Sequence, residues 1–105
     1  MNSNVNISNT YITMQKYPNN QFVFLGSDNL SQSEAQIKRK FIIYAVSKYN
    51  EYTDIAANIQ DNCTNTFGGI WIAIVGERDK YNYFAYLKKS YRVNIGPYKI
   101  SVINC

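Results

Sequence analysis

The chain has 105 residues, a formal charge of +4 and no histidine. That length gives one domain with a modest core, and much of its apolar surface stays near water unless copies associate. The charge is spread along the chain without the basic patch that nucleic acid requires, and without histidine the usual general base and most metal-ligand sets are missing.

Residues Met1 to Asn20 are rich in Asn, Ser and Thr and show no sustained period. They read as a disordered tail, neither signal peptide nor membrane span, with the domain running from Gln21 to Cys105. Gln21-Phe22-Val23-Phe24-Leu25 is a short apolar run before Gly26 and suits a strand. Ser31-Gln32-Ser33-Glu34 has the form of a capping box, in which each side chain reaches the other residue's backbone N–H. The helix it opens places Ile37, Phe41, Ile42, Tyr44, Ala45, Val46 and Tyr49 on one broad face. Lys38, Arg39, Lys40 and Lys48 fall mainly on the other face, expected to be solvated. The helix should stop at Tyr49-Asn50, where Asn can take the left-handed exit conformation.

Thr53 is the expected cap of a second helix, with Asp54 complementing its dipole and Ile55, Ala56, Ile59 and Cys63 as its buried stripe. Gly68-Gly69 then releases the chain into Trp71-Ile72-Ala73-Ile74-Val75-Gly76, an apolar run whose two faces should both be covered. After the polar turn at Glu77-Arg78-Asp79-Lys80 comes an aromatic strand, Tyr81-Asn82-Tyr83-Phe84-Ala85-Tyr86. Tyr91, Val93 and Ile95 alternate on a core face, Gly96-Pro97 makes a tight connection, and Tyr98 to Val102 alternates again. The order is a strand, two helices and four strands: an α+β domain with an antiparallel sheet backed by helices on one side.

No residues stand out for catalysis. Cys63 and Cys105 make no framework and read as free thiols in a reducing compartment. Cys63 has no histidine partner, Gly68-Gly69 lacks the Lys-Ser/Thr of a phosphate loop, and Glu51 and Asp54 suit a turn and a cap. Trp71 opening an apolar strand suits a core better than a ligand platform. The aromatic strand suits a subunit interface better than a nucleic-acid stacking surface. The expectation is a protein that is not an enzyme and has no cofactor or metal.

Lys48-Tyr49-Asn50, Asp54-Ile55-Ala56-Ala57, Trp71 and Ile74-Val75-Gly76, taken together at this spacing, resemble the dynein light chain family of the LC8 type. The resemblance runs without a gap from about Gln21 to the C-terminus. It implies a non-catalytic, two-fold homodimer in which strand Tyr81–Ala85 crosses to the partner's sheet. Ile72, Ala73, Tyr81, Tyr83 and Tyr86 would then form the dimer interface. It also implies that an extended client segment adds as a further strand along Asn82, Tyr83, Phe84 and Ala85, with Arg92, Asn94 and Thr53 lining its groove. The partners implied are a second copy and the dynein intermediate chain or other proteins with extended linear motifs, with no nucleic acid and no membrane. The implied place is the cytoplasm and the microtubule-associated dynein complex of the cytoskeleton.

The chain departs from the family in its groove. Ser90, Arg92 and Asn94 stand where the family has aromatic side chains, Thr53 where it has a lysine, and Ile72 where it often has an interface histidine. These departures imply clients that are acidic or small and polar, and a dimer insensitive to mild acid. The other reading is a dynein-independent cytoskeletal scaffold, a dimerisation hub that has lost peptide binding.

Overall fold

The computed structural model describes residues 15–27, 31–79 and 90–105. Its strands are β1 (Phe22–Ser27), β2 (Trp71–Glu77), β3 (Ser90–Ile95) and β4 (Tyr98–Asn104), and its helices are α1 (Gln32–Lys48) and α2 (Tyr52–Phe67). The strands form one antiparallel sheet in the order β1-β3-β4-β2. The two helices pack on one face of it, giving the expected α+β architecture. The aromatic segment Tyr81–Tyr86 lies outside the described residues.

Chain entry comes earlier than the sequence suggests. The Lys16 N–H donates to Ser47 Oγ at 3.0 Å, and the Tyr17 ring packs edge-on against Tyr98 at 6.2 Å between centroids. Structured chain therefore begins ahead of Gln21, because Tyr17 finds an aromatic partner and Gly96 leaves room for its ring. A short 3-10 turn, Asn19–Gln21, leads into β1.

Helix α1 starts as its cap dictates, with the Glu34 N–H donating to Ser31 Oγ at 3.2 Å. Only half of the capping box forms. The Glu34 carboxylate turns to Lys38 instead, 3.5 Å away. Ile42, Ile43, Ala45 and Val46 are buried, and so is Lys38, which was expected on the solvated face. The Lys38 Nζ lies 4.3 Å from the centre of the Trp71 ring and 5.2 Å from that of Phe67, a cation held against two aromatic faces. The helix ends at Lys48 with extended Tyr49 as C-cap, so no left-handed Asn50 is needed.

Helix α2 also begins earlier than expected. The Ile55 N–H donates to Glu51 C=O at 3.0 Å, making Glu51 the N-cap and leaving Thr53 inside the first turn, exposed. Thr53 is thus no cap, because the first helical bond closes two residues before it. Ile55, Ile59 and Cys63 are fully buried as the stripe required. Burial pushes the Cys63 thiol up to about 11, against the pull of the nearby Lys38 ammonium. Both cysteines are free.

Gly68 and Gly69 take φ of +71° and +81°, which turns the chain sharply into β2, and the Trp71 indole N–H donates back to Gly68 C=O at 2.7 Å. On the core face of the sheet, Tyr91, Val93 and Ile95 of β3 meet Val102, Ile100 and Tyr98 of β4, as their alternation required. Removing one of these fully buried side chains costs about 2–5 kcal/mol, so the core fixes the register.

Candidate peptide-binding edge and face

The sheet has a second face, turned away from the helices. The register places Ile72, Ile74 and Gly76 of β2 there, next to Ile103, Ser101 and Lys99 of β4, then Ser90, Arg92 and Asn94 of β3. Strand β2 is not covered on both sides as expected: Ile72 is 42 % exposed, while Trp71 and Ala73 alternate with it into the core. The helices cover only one face of this sheet, and on the other Ile72 is exposed while its neighbours Ile103, Ser101 and Ser90 are buried.

β2 is also an edge strand among the described residues, paired with β4 alone. The Ala73 N–H donates to Gln60 Oε1 of α2 at 3.0 Å. Ala73 therefore turns its backbone away from β4, and by alternation Trp71 and Val75 do so too. The edge presents backbone groups that another strand can use, with one N–H held by a glutamine in the meantime.

The polar part of this face is built around Arg92. Its Nη1 donates to Ser90 Oγ at 2.6 Å, and its guanidinium lies over Gly26 of β1. Gly26 has φ of +154°, which favours glycine at this bulge position, and a Cβ there would come within 2.6 Å of Arg92 Nη2 and push the guanidinium aside. Ser101 and Asn94 are 0 % and 8 % exposed, and Ser101 Oγ and Asn94 Oδ1 find no hydrogen-bond partner among the described residues.

Of the residues named from sequence, the structure brings Arg92 and Asn94 together on this face, with Ile72 on its β2 side. Ala73 turns its side chain into the core and its N–H to the open edge of β2, so it can meet a partner through its backbone alone. Thr53 lies in the helical layer, on the opposite side of the sheet from Arg92 and Asn94. Tyr81, Asn82, Tyr83, Phe84, Ala85 and Tyr86 lie outside the described residues. Sequence reasoning missed Lys99, Ser101 and Ile103 as members of this face, although the alternation of Tyr98 to Asn104 already placed them on it.

Comparison with solved structures settles the architecture. The chain superposes on the dynein light chain (DLC)-like domain of CsTAL3 with a TM-score of 0.67 at 13 % identity, covering 84 % of this chain and 95 % of that one. The fold is that of the dynein light chains. A mercury derivative of the dynein light chain-like domain of the Fasciola hepatica calcium binding protein FhCaBP2 gives a TM-score of 0.60 at 15 % identity, covering 86 % of this chain and 97 % of that one. The native form of the same domain gives 0.59 at 16 % identity, covering 80 % and 90 %. No family model and no curated protein sequence matches the chain. No helix among the described residues is long and apolar enough to cross a membrane.

Proposed function

We propose that this dynein light chain-like protein is a non-catalytic, dimeric adaptor that holds extended peptide segments by strand addition. The observation that carries the reading is the open edge of β2 beside the exposed Ile72, on a sheet whose helices cover only the other face. An apolar edge strand of this kind is a liability in a monomer and an asset in a two-fold dimer. In the proposed dimer, strand Tyr81–Ala85 of each chain crosses to the β2 edge of its mate, displacing Gln60 from the Ala73 N–H. A client then lies along Asn82–Ala85, with backbone hydrogen bonds for affinity and side-chain pockets for selectivity.

The proposed clients include a dynein intermediate chain, which would place the protein in microtubule-based transport in the cytoplasm. Joining two client chains raises the effective concentration of one near the other and asks no chemistry of the protein. Arg92 and Asn94 favour acidic or small polar client residues. A second reading, a scaffold of the cytoskeleton independent of dynein and without peptide clients, draws on the polar Ser90-Arg92-Asn94 row in place of an aromatic groove.

A pull-down from cell lysate with the unaltered chain beside Arg92→Glu separates the two. Loss of a specific set of extended-motif proteins with the variant supports the groove, and recovery of dynein intermediate chain within that set supports the motor role. An unchanged list of partners supports the scaffold.

A further inference from the structure

The sheet has another edge strand at its opposite end, β1. β1 has only β3 as a strand partner among the described residues. The Gly96 N–H donates to Gln21 C=O at 3.3 Å, so the pair Gln21 and Gly96 is bonded, and by alternation Val23 also turns its backbone to β3. Phe24 then presents its N–H and C=O to the open side. Val23, Phe24 and Leu25 are 39 %, 54 % and 43 % exposed, three apolar residues in a row on an edge. No proline, lysine or inward charge guards this stretch, although such devices are how soluble proteins usually blunt an edge.

Beside Phe24 lies a notch of about 220 Å³ between β1 and α1, lined by Phe24, Ala35, Tyr91, Gln32, Gln36 and Arg39. Phe24 and Tyr91 pack ring on ring at 5.5 Å, which makes a firm apolar wall. The Arg39 guanidinium is held at 4.6 Å over the Phe22 ring, and no carboxylate is among the described lining residues. The nearest acid along α1, Glu34, is engaged by Lys38. The notch therefore offers an apolar hollow, two amides and a positioned cation, within reach of free strand backbone.

We propose that this edge takes an extended segment of a partner protein that carries an aliphatic side chain two residues from a carboxylate. Residues two apart on a strand share a face, so one such face fills the notch while its acid meets Arg39, as the segment bonds to the Phe24 backbone. A second copy of this chain fits poorly: two-fold pairing of β1 with itself brings together two Arg39-bearing notches whose described lining residues hold no acid. The surface lies across the sheet from the β2 edge and does not depend on the adaptor reading.

The test uses the full chain, isotope-labelled, with two synthetic peptides, Ser-Thr-Leu-Thr-Asp-Thr-Ser and its reverse order Ser-Thr-Asp-Thr-Leu-Thr-Ser. Each is paired with a version carrying Lys for Asp. Amide shifts should fall on Val23–Leu25 and on Arg39, with one acidic peptide at least about tenfold tighter than its Lys version. Arg39→Glu should reverse that preference. Gln36→Glu should weaken the acidic peptide without touching the stack on Phe22, and Trp71 fluorescence with the melting temperature shows that both variants fold. The proposal is overturned by equal binding of the Asp and Lys peptides, or by no shifts on β1 up to about 1 mM peptide. Shifts confined to Trp71–Gly76 would also overturn it while leaving the adaptor reading standing.

Discussion

The proposed dimer is most directly tested at Ile72, because the same side chain means little to the protomer and would mean much to a partner. Ile72 is 42 % exposed, so its substitution should leave the stability of the single chain within about 0.5 kcal/mol. Fully burying an isoleucine contributes about 1.5–3 kcal/mol, and covering the exposed 42 % contributes roughly 1 kcal/mol. A two-fold interface counts each residue twice, which makes roughly 2 kcal/mol per dimer and an approximately thirtyfold weaker association for Ile72→Ser. Ile72→Asp should weaken it further, since two carboxylates would be desolvated together. Sedimentation equilibrium over a concentration series gives the constant, and chemical denaturation of the monomer gives the control. The chain has no histidine, and Ile72 does not titrate, so the constant measured at pH 5 should match that at pH 7. An association unchanged by Ile72→Asp, or an unaltered chain that stays monomeric at high concentration, would refute the reasoning.

Two further outcomes concern the protomer. Gly96→Ala should destabilise it by about 2–3 kcal/mol, because φ is +54° there and the new Cβ would sit 2.6 Å from the Tyr17 ring. In a Tyr17→Ala background only the backbone part, about 1 kcal/mol, should remain, and equal costs in both backgrounds would show that Tyr17 does not dock on Gly96. The Cys63 thiol, raised by burial from 9.0 to about 11, holds its proton more tightly folded than unfolded. Its contribution is therefore present below pH 9 and lost as pH rises toward 11, so denaturation midpoints should fall over that window, and Cys63→Ser should flatten the fall. At pH 8 a maleimide should label exposed Cys105 and spare Cys63 in the folded protein.

The parts of the fold that follow a period were legible in the sequence, and the parts set by tertiary partners were not. The stripe Ile55, Ile59, Cys63 and the row Tyr91, Val93, Ile95 are buried because their spacing leaves them no other face. The Ser31 cap was legible for the same local reason. The start of α2 was not, because Glu51 makes no side-chain cap bond and leaves no chemical mark on the sequence. Nor was the docking of Tyr17, which depends on a glycine 79 residues away (96 − 17) in a hairpin whose two-residue loop demands positive φ. In the candidate site, Arg92 and Asn94 were named through the resemblance, and the alternation of Tyr91, Val93 and Ile95 into the core places them on the outer face. The exposure of Ile72 was not legible, because an apolar strand reads the same whether or not anything in its own chain covers its second face.

Lys38 shows a rule of period overriding a rule of composition. It stands four residues before Ile42 and seven before Ala45, so helical spacing puts it on the buried face, and only its charge argued for solvent. The structure follows the spacing: Lys38 is 0 % exposed, its Nζ 4.3 Å above Trp71 and 3.5 Å from Glu34. Desolvating an ammonium costs several kcal/mol, and each aromatic face returns about 0.5–2 kcal/mol, so an apolar side chain of similar length in this place is neutral or stabilising. Lys38→Met keeps the unbranched stem, removes the charge and gains a sulfur–aromatic contact worth about 0.3–1.5 kcal/mol. The variant should therefore be as stable as the parent or more so by about 1–2 kcal/mol in urea denaturation, whereas Lys38→Ala, which leaves a void beneath Trp71, should lose about 2–4 kcal/mol. A Lys38→Met variant destabilised by more than about 3 kcal/mol would mean that the buried cation is a net support of the core. The charge would then be held in place by the aromatic pair for the sake of the fold.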